Sequence, residues 1–431
     1  MLSAFGAAFR TPDLRKKILF TLFLLGLYRL GAVVPTPGVD YGAITKCVAV
    51  VQDNSLYGLI NLFSGGALLR LSVFALGIMP YITASIIIQL LVVVIPRLDA
   101  LKQEGQSGQA KLTQYTRYLT IALAILQSTT ILTLARVPGR LFSGCNEQLI
   151  PNQSIALILV MIMTLTAGTG MIMWFGELIT DRGIGNGMSL LIFCSIIATM
   201  PGQFFTVYQT KGAFTLAIVA LVGLLVVAGV VYVEQAQRRI PVQYAKRMVG
   251  SKMYGGASTY IPLKVNMAGV IPVIFASSLL YIPQLVVSLS ASQAGWAQWV
   301  SRNLSSGSEP LYLLVYFLLI VFFAYFYVAI TFNPVEVADN MKKYGGFIPG
   351  IRAGKPTAEY LDYVLTRLTF PGSIYLGIIA IIPFIAFGGL GLGQSFLFGG
   401  TSLLIMVGVG LDTVKQIEAQ LQQRNYEGFL K

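Results

Sequence analysis

Gly77–Ser85 reads GIMPYITAS and Gly269–Ser277 reads GVIPVIFAS, with Gly, Pro, Ile, Ala and Ser matched at a constant offset of 192 residues. The match is either chance among common membrane residues or the trace of an internal repeat. A hydrocarbon layer about 30 Å thick takes roughly 20 apolar residues of helix. Such runs lie at Ile18–Val34, Ser72–Ile95, Thr116–Arg136, Gln153–Gly176, Gly187–Gln203, Ala213–Val233, Val265–Ser290, Leu311–Phe332, Gly372–Leu390 and Ser395–Leu411. The matched stretches fall in the second and seventh runs, so each holds second place in a set of five. This arithmetic favours the repeat. An odd number of crossings per half reverses the second half, which predicts an inverted repeat about an axis in the membrane plane. The expected halves are residues 1–210, spans one to five, and 211–431, spans six to ten. Each stretch carries a proline, which lacks an amide donor and is expected to loosen its helix where a path would open between the halves.

Composition agrees. The 431 residues are 55% hydrophobic and 11% charged, against about 25% charged in soluble domains; the chain reads as a polytopic membrane protein. The first run follows Arg10, Arg15, Lys16 and Lys17, as a cleavable signal would, but Arg29 inside it and the lack of an A-x-A pattern favour an uncleaved span. The net charge of +13 is distributed by side: 23 of the 30 lysines and arginines fall in the loops and tails that share a side with both termini, and 6 on the other. Positive charge resists translocation, so the richer side, with both termini, is expected to be cytoplasmic. Cys47 and Cys145 then lie in outer loops. Either they form a disulfide, as an oxidising exterior permits, or they are two free thiols, since spacing says nothing of distance.

Two cytoplasmic loops exceed ordinary connectors. Residues 234–264 read as a basic hairpin, two strand-like patches around a glycine-rich turn. Residues 333–371 contain KKYGGFIPGIRAGKPT, crowded with glycine and proline around Arg352 and Lys355. These loops are either solvated basic faces that topology demands or a docking surface for an anionic partner.

Some chemistry is excluded. There is no histidine, which removes HExxH zinc proteases and any histidine base. No GxxxxGK[ST] loop is present, so nucleotide-driven work would belong to a partner. RGIGNG, Arg182–Gly187, reads as a tight loop rather than a phosphate cradle. The spans hold no Asp or Glu away from their ends, whereas ion-coupled transporters keep ionisable relays there. That argues against the main competing class, an inverted-repeat transporter of small solutes. An intramembrane protease would need an unusual nucleophile–base pair. Arg29, toward the outer end of its span, is placed either to snorkel or to bond a neighbouring carbonyl.

The segment NLFSGGALLR, Asn61–Arg70, is apolar, split by a glycine pair and too short to span. It is either buried in protein, where broken backbone is tolerated, or an interfacial helix.

NLFSGGALLRLSVFALGIMPYITASIIIQLL, GIGNGMSLLIF, KVNMAGVIPVIFASS, GGFIPGIRAGKPT and GGTSLLIMVGVGLDT occur in this order. Together they resemble the SecY family, pore subunits of the bacterial protein-conducting translocon, through nearly the whole chain. The resemblance implies an all-α polytopic membrane protein of ten transmembrane helices in two inverted five-helix halves around a central hourglass pore. The function it implies is passage of unfolded polypeptides across or into the bacterial cytoplasmic membrane, with no enzymatic chemistry and no cofactor.

By that likeness Asn61, Leu62, Phe63, Ser64, Gly65, Gly66, Ala67, Leu68 and Leu69 would be a plug. Ile82, Ile86, Met188, Ile192, Ile274 and Ile405 would be the pore ring, narrow and apolar enough to exclude ions; Met188 departs from the usual branched aliphatic, though its flexible thioether should still seal. Ile82 and Ile274 are also equivalent in the repeat. Thr83, Ser85, Gln89, Asn266, Ser277 and Ser278 would line a lateral gate between spans two and seven and could hydrogen-bond across its seam. Taken singly, each isoleucine also reads as ordinary packing and each hydroxyl as an intrahelical bond. Arg238, Arg239, Lys246, Arg247, Arg352 and Lys355 would meet partners. The partners implied are SecE and SecG small membrane subunits, the SecA motor ATPase, the ribosome with its RNA and proteins, signal sequences and nascent polypeptides, and membrane lipids. GSKMYGG, around Lys252, is less basic than many relatives show at that turn.

Overall fold

The computed structural model describes residues 11–50, 64–138, 147–244, 247–249, 252–254, 258–290, 295–304, 309–389 and 400–428, with Phe9 and Cys145. Its helices are α1 (Pro12–Gly31), α2 (Tyr41–Val50), α3 (Met79–Val94), α4 (Pro96–Gln103), α5 (Gln106–Ala135), α6 (Ile155–Arg182), α7 (Gly187–Gln209), α8 (Gly212–Gln235), α9 (Ile271–Ser290), α10 (Gly295–Leu304), α11 (Pro310–Thr331), α12 (Pro334–Lys343), α13 (Lys355–Gly389) and α14 (Gly400–Gly428). Each of the ten apolar runs carries a helix. Among the described residues six of them, α5, α6, α7, α8, α11 with α12, and α13, are long and apolar enough to cross a bilayer, and the bent pair α3–α4 makes a seventh. The chain is a multi-pass membrane protein. Gly212, with φ 83° and ψ 175°, breaks α7 from α8 beside the expected division between the halves.

The repeat is present in the backbone. α3 starts at Met79 and α9 at Ile271, the same 192 residues apart as the matched sequences. Gly77 and Gly269 precede them with φ of 57° and 61°, a left-handed conformation that costs glycine nothing. The first bonds also correspond: Tyr81 N and Ile82 N donate to Ile78 O, each at 3.1 Å, and Val273 N and Ile274 N to Val270 O at 3.2 and 3.3 Å. Pro80 and Pro272 therefore occupy the first helical turn, where the missing N–H would have had no intrahelical acceptor. The expected loosening does not occur; these prolines start helices. Pro283, further along α9, is the interior one.

Packing order is the same in both halves. The second helix packs on the third (α3 on α5, α9 on α11), the third on the fourth (α5 on α6, α11 on α13), and the fourth on the fifth (α6 on α7, α13 on α14). The halves meet where α9 touches α3 and α5 and where α14 packs on the α7–α8 pair. Arg117 ties α5 to α6 by a bidentate pair with Glu177, both bonds 2.8 Å.

The hairpin expected at 234–264 is found, with a third strand added. β1 (Gln237–Tyr244) pairs antiparallel with β4 (Ser258–Lys264) and, at its far end, with β5 (Gly346–Phe347); β2 (Arg247–Val249) and β3 (Lys252–Tyr254) form the tip. The stretch 333–371, read as a loop, is largely helical: Asn333 caps α12 through Val335 N and Glu336 N, and α13 begins at Lys355. Ile240, Val242 and Leu263 of the sheet pack with Met341, Leu361, Val364 and Leu365 as one apolar unit. The two long loops are one body.

Candidate functional site

The six ring candidates come from four helices. Ile82 and Ile86 lie on α3, Met188 and Ile192 on α7, Ile274 on α9 and Ile405 on α14, and all six belong to one central apolar cluster. Ile82, Ile86, Ile192 and Ile405 are buried, whereas Met188 and Ile274 are half-buried at its edge. The sulfur of Met188 rests against Gly176 of α6, so it joins the cluster from the side. RGIGNG is the expected tight loop: Asn186 accepts from Met188 N and Ser189 N to cap α7.

Ser64–Leu69 is a turn buried in protein, not a helix at a surface. Ser64, Gly65, Ala67 and Leu68 are buried, Gly66 and Leu69 half-buried. Ala67 belongs to the central cluster and Leu68 to a second one, formed with Ile44 and Cys47 of α2, Leu132 of α5 and Leu165 of α6. The downstream end of the segment is tied down. Downstream, Ser72 N donates to Ala67 O at 3.0 Å, and Thr36 bonds Leu71 O through its amide at 3.0 Å and its hydroxyl at 2.7 Å. Upstream, Asp40 caps α2, and Cys47 on it forms a disulfide with Cys145. Arg29 donates from Nη1 to Gly65 O at 2.8 Å, the carbonyl bond allowed for by its position. Asn61, Leu62 and Phe63 lie outside the described residues.

Of the two bonds open to the candidate gate hydroxyls, across the α3–α9 seam or within the helix, the structure shows the second. Thr83 donates to Met79 O at 3.0 Å, and Ser277 and Ser278 to Ile274 O at 2.9 and 2.8 Å, all within their own helices. A hydroxyl on an apolar helix reaches the carbonyl one turn back more easily than a partner on another helix. Ser85 and Gln89 are half-buried on α3. Asn266 looks elsewhere: its amide donates to Glu234 Oε1 at 2.6 Å and to Gly269 O at 3.1 Å, fixing the approach to α9 from the end of α8. Glu234 was missed because it stands one residue past an apolar run, yet it is 9% exposed. A carboxylate directly abutting such a run is the signal that could have found it.

Of the basic candidates, Arg238 and Arg239 lie on β1, Arg352 in the turn before α13 and Lys355 at its first position, all exposed. Adjacent strand residues face opposite sides, and Arg239 stacks over the Tyr260 ring at 4.8 Å. The Arg352 carbonyl accepts from Thr357 Oγ1 at 2.9 Å, which holds the turn while its side chain stays exposed. Arg247 opens β2. Lys246 lies outside the described residues.

A family model described as SecY matches residues 72–414. A relative from Streptomyces scabiei, "Protein translocase subunit SecY", is 65% identical, with the whole of both chains covered. The chain belongs to the SecY family. Its fold is that of solved channels: "The structure of a protein conducting channel" aligns over 94% of this chain and 91% of that one, with TM-score 0.65 and 21% identity. "Sec61 in the Canine ribosome-channel complex from the endoplasmic reticulum" aligns over 94% and 91%, with TM-score 0.61 and 20% identity. Within this SecY-family chain the matched region starts at Ser72 and so includes α3, α7, α9 and the part of α14 that holds Ile405, and with them all six ring candidates.

Proposed function

We propose that this chain is the pore subunit of the general secretory translocon. It passes unfolded polypeptides across the bacterial cytoplasmic membrane, with both termini cytoplasmic, and releases membrane segments laterally between α3 and α9. It is a channel, not an enzyme; the driving energy comes from a motor ATPase or a ribosome docked on the cytoplasmic sheet, where Arg238, Arg239 and Arg352 offer forked donors to carboxylate or phosphate. The observation that carries the reading is the convergence of six aliphatic or thioether side chains, from helices of both halves, on one apolar centre that the Ser64–Leu69 turn also reaches. Such a centre repels water and ions when closed, and its rotamers can yield around a chain of any sequence. Ser64–Leu69 then serves as the plug.

The test is reconstitution with the small membrane subunits in proteoliposomes, supplied with the motor, ATP and an unfolded signal-bearing precursor. The expected result is ATP-dependent protection of the precursor from added protease. A precursor that stays fully digestible, while a known translocon in the same vesicles protects it, overturns the reading.

A further inference from the structure

Arg29 is the one charged side chain well inside an apolar run. It stands in the last turn of α1, where the negative end of the helix dipole suits a cation. No carboxylate among the described residues lies within ion-pair distance of it. The group facing it is instead the backbone carbonyl of Gly65 at 2.8 Å, on a segment 36 residues further along.

The joint is fitted from three sides. Gly65 and Gly66 have φ of 64° and 91°, a left-handed pair that bends the turn back toward α1 at a place side chains rarely allow. A Cβ on Gly65 would press on Arg29 Nη1 and lie 3.2 Å from Cα and Cβ of Ser195 on α7, so a side chain there would push the guanidinium off its place. One residue before Arg29, the Tyr28 hydroxyl shares a buried 2.6 Å hydrogen bond with Ser195 Oγ and holds α1 and α7 together beneath the turn.

We propose that Arg29 is a latch: it holds the Ser64–Leu69 turn in its seat between α1 and α7 and so sets how often the plug leaves the pore. The proposal rests on the reading of that turn as a plug. The choice of partner matters chemically. A carboxylate bound to arginine in a low-dielectric site is held by charge on both sides, and no neutral group would displace it. A carbonyl can be exchanged for another carbonyl. Every residue of an unfolded polypeptide brings one, whatever its side chain, so an arriving chain can take over the Arg29 donors and free the turn without any sequence requirement.

The experiment is single-channel recording of the purified chain with its small membrane subunits in planar bilayers, for intact protein, Arg29→Met, Arg29→Lys, Gly65→Ala and a deletion of residues 61–69. Arg29→Met is expected to raise open probability about tenfold or more, with Arg29→Lys between it and the intact protein. Gly65→Ala breaks the same contact from the other side; it is expected to match Arg29→Met and carries the test alone should that variant fail to assemble. In the deletion background Arg29→Met is expected to add nothing, because both changes act through the plug. Openings on deletion but silence in Arg29→Met and Gly65→Ala would overturn the latch and leave the plug standing. An Arg29→Met effect undiminished by the deletion would also overturn it, by placing the action on the ring. Silence of the deletion itself would refute the plug and the latch together.

Discussion

The stretches that lead into α3 and α9 end alike and begin differently. Each closes on a left-handed glycine, Gly77 or Gly269, and a proline in the first helical turn. Before that, the first half brings in a buried apolar turn, tied by the Cys47–Cys145 disulfide and the Thr36 bonds to Leu71. The second half brings in an exposed basic sheet, tied by Asn266 to Glu234. On the proposed inverted arrangement these lead-ins belong to opposite sides of the membrane. The repeat therefore preserves the frame that starts the helix, while the chain ahead of it differs: a buried turn in one half, proposed above as the plug, and an exposed sheet in the other, proposed above as the dock.

That contrast can be broken from either end. The largest expected effect is on the dock: Arg352→Glu should cut motor-driven translocation about tenfold or more by opposing an acidic partner, while ion conductance through the resting channel stays unchanged. Protease protection in proteoliposomes and bilayer recording on one preparation check both halves of the statement; a leak without a transport defect would reverse the assignment. Next comes the tie of the second lead-in. Asn266→Ala leaves the Glu234 carboxylate buried without its amide and should cost about 3 kcal/mol, read as a lower midpoint of unfolding in detergent, whereas Glu234→Gln keeps an acceptor and should cost under about 1 kcal/mol. The tie of the first lead-in is weaker. Replacing Cys47 and Cys145 by serine should cost about 2 kcal/mol, because helices already held in a membrane leave a reduced chain less freedom to gain. Smallest, and sharpest for the repeat, Gly77→Ala and Gly269→Ala should each cost about 1 kcal/mol through the positive φ. A loss at one position only would mean that the shared frame does not carry the same strain in both halves.

Much of this was legible because backbone demands leave specific residues behind. Glycine at a left-handed position and proline in a first turn recur at a fixed offset, so the repeat could be read from nine letters. Helix starts were less legible. The run Ser72–Ile95 reads as one span, but 73–78 is turn and α3 begins at Met79; hydropathy reports burial and cannot tell a buried turn from a helix. The run Gly372–Leu390 differs the other way, since α13 begins at Lys355 and its polar first turns extend the helix ahead of the apolar run. β5 is two residues long and acquires meaning only through its partner β1, a long-range pairing no local pattern encodes. The candidate gate hydroxyls were legible as polar groups on apolar helices with two acceptors open to each, and the carbonyl one turn back wins over anything across the seam. The disulfide was open for the same reason: spacing does not report distance.

The sheet has a mechanical consequence. β1 is clamped by β4 on one edge and β5 on the other, and the ladder runs on through Val265 N to Ala236 O at 3.0 Å. Residues 266–270 then separate it from α9, with Asn266 bonded to Glu234 and Gly269 fixed in its turn. Five residues reach at most about 18 Å when extended, and these are folded, so the coupling between sheet and helix has little slack. On the proposed function, a load placed on the sheet is delivered to the foot of α9 as displacement, and docking and opening become two ends of one short lever.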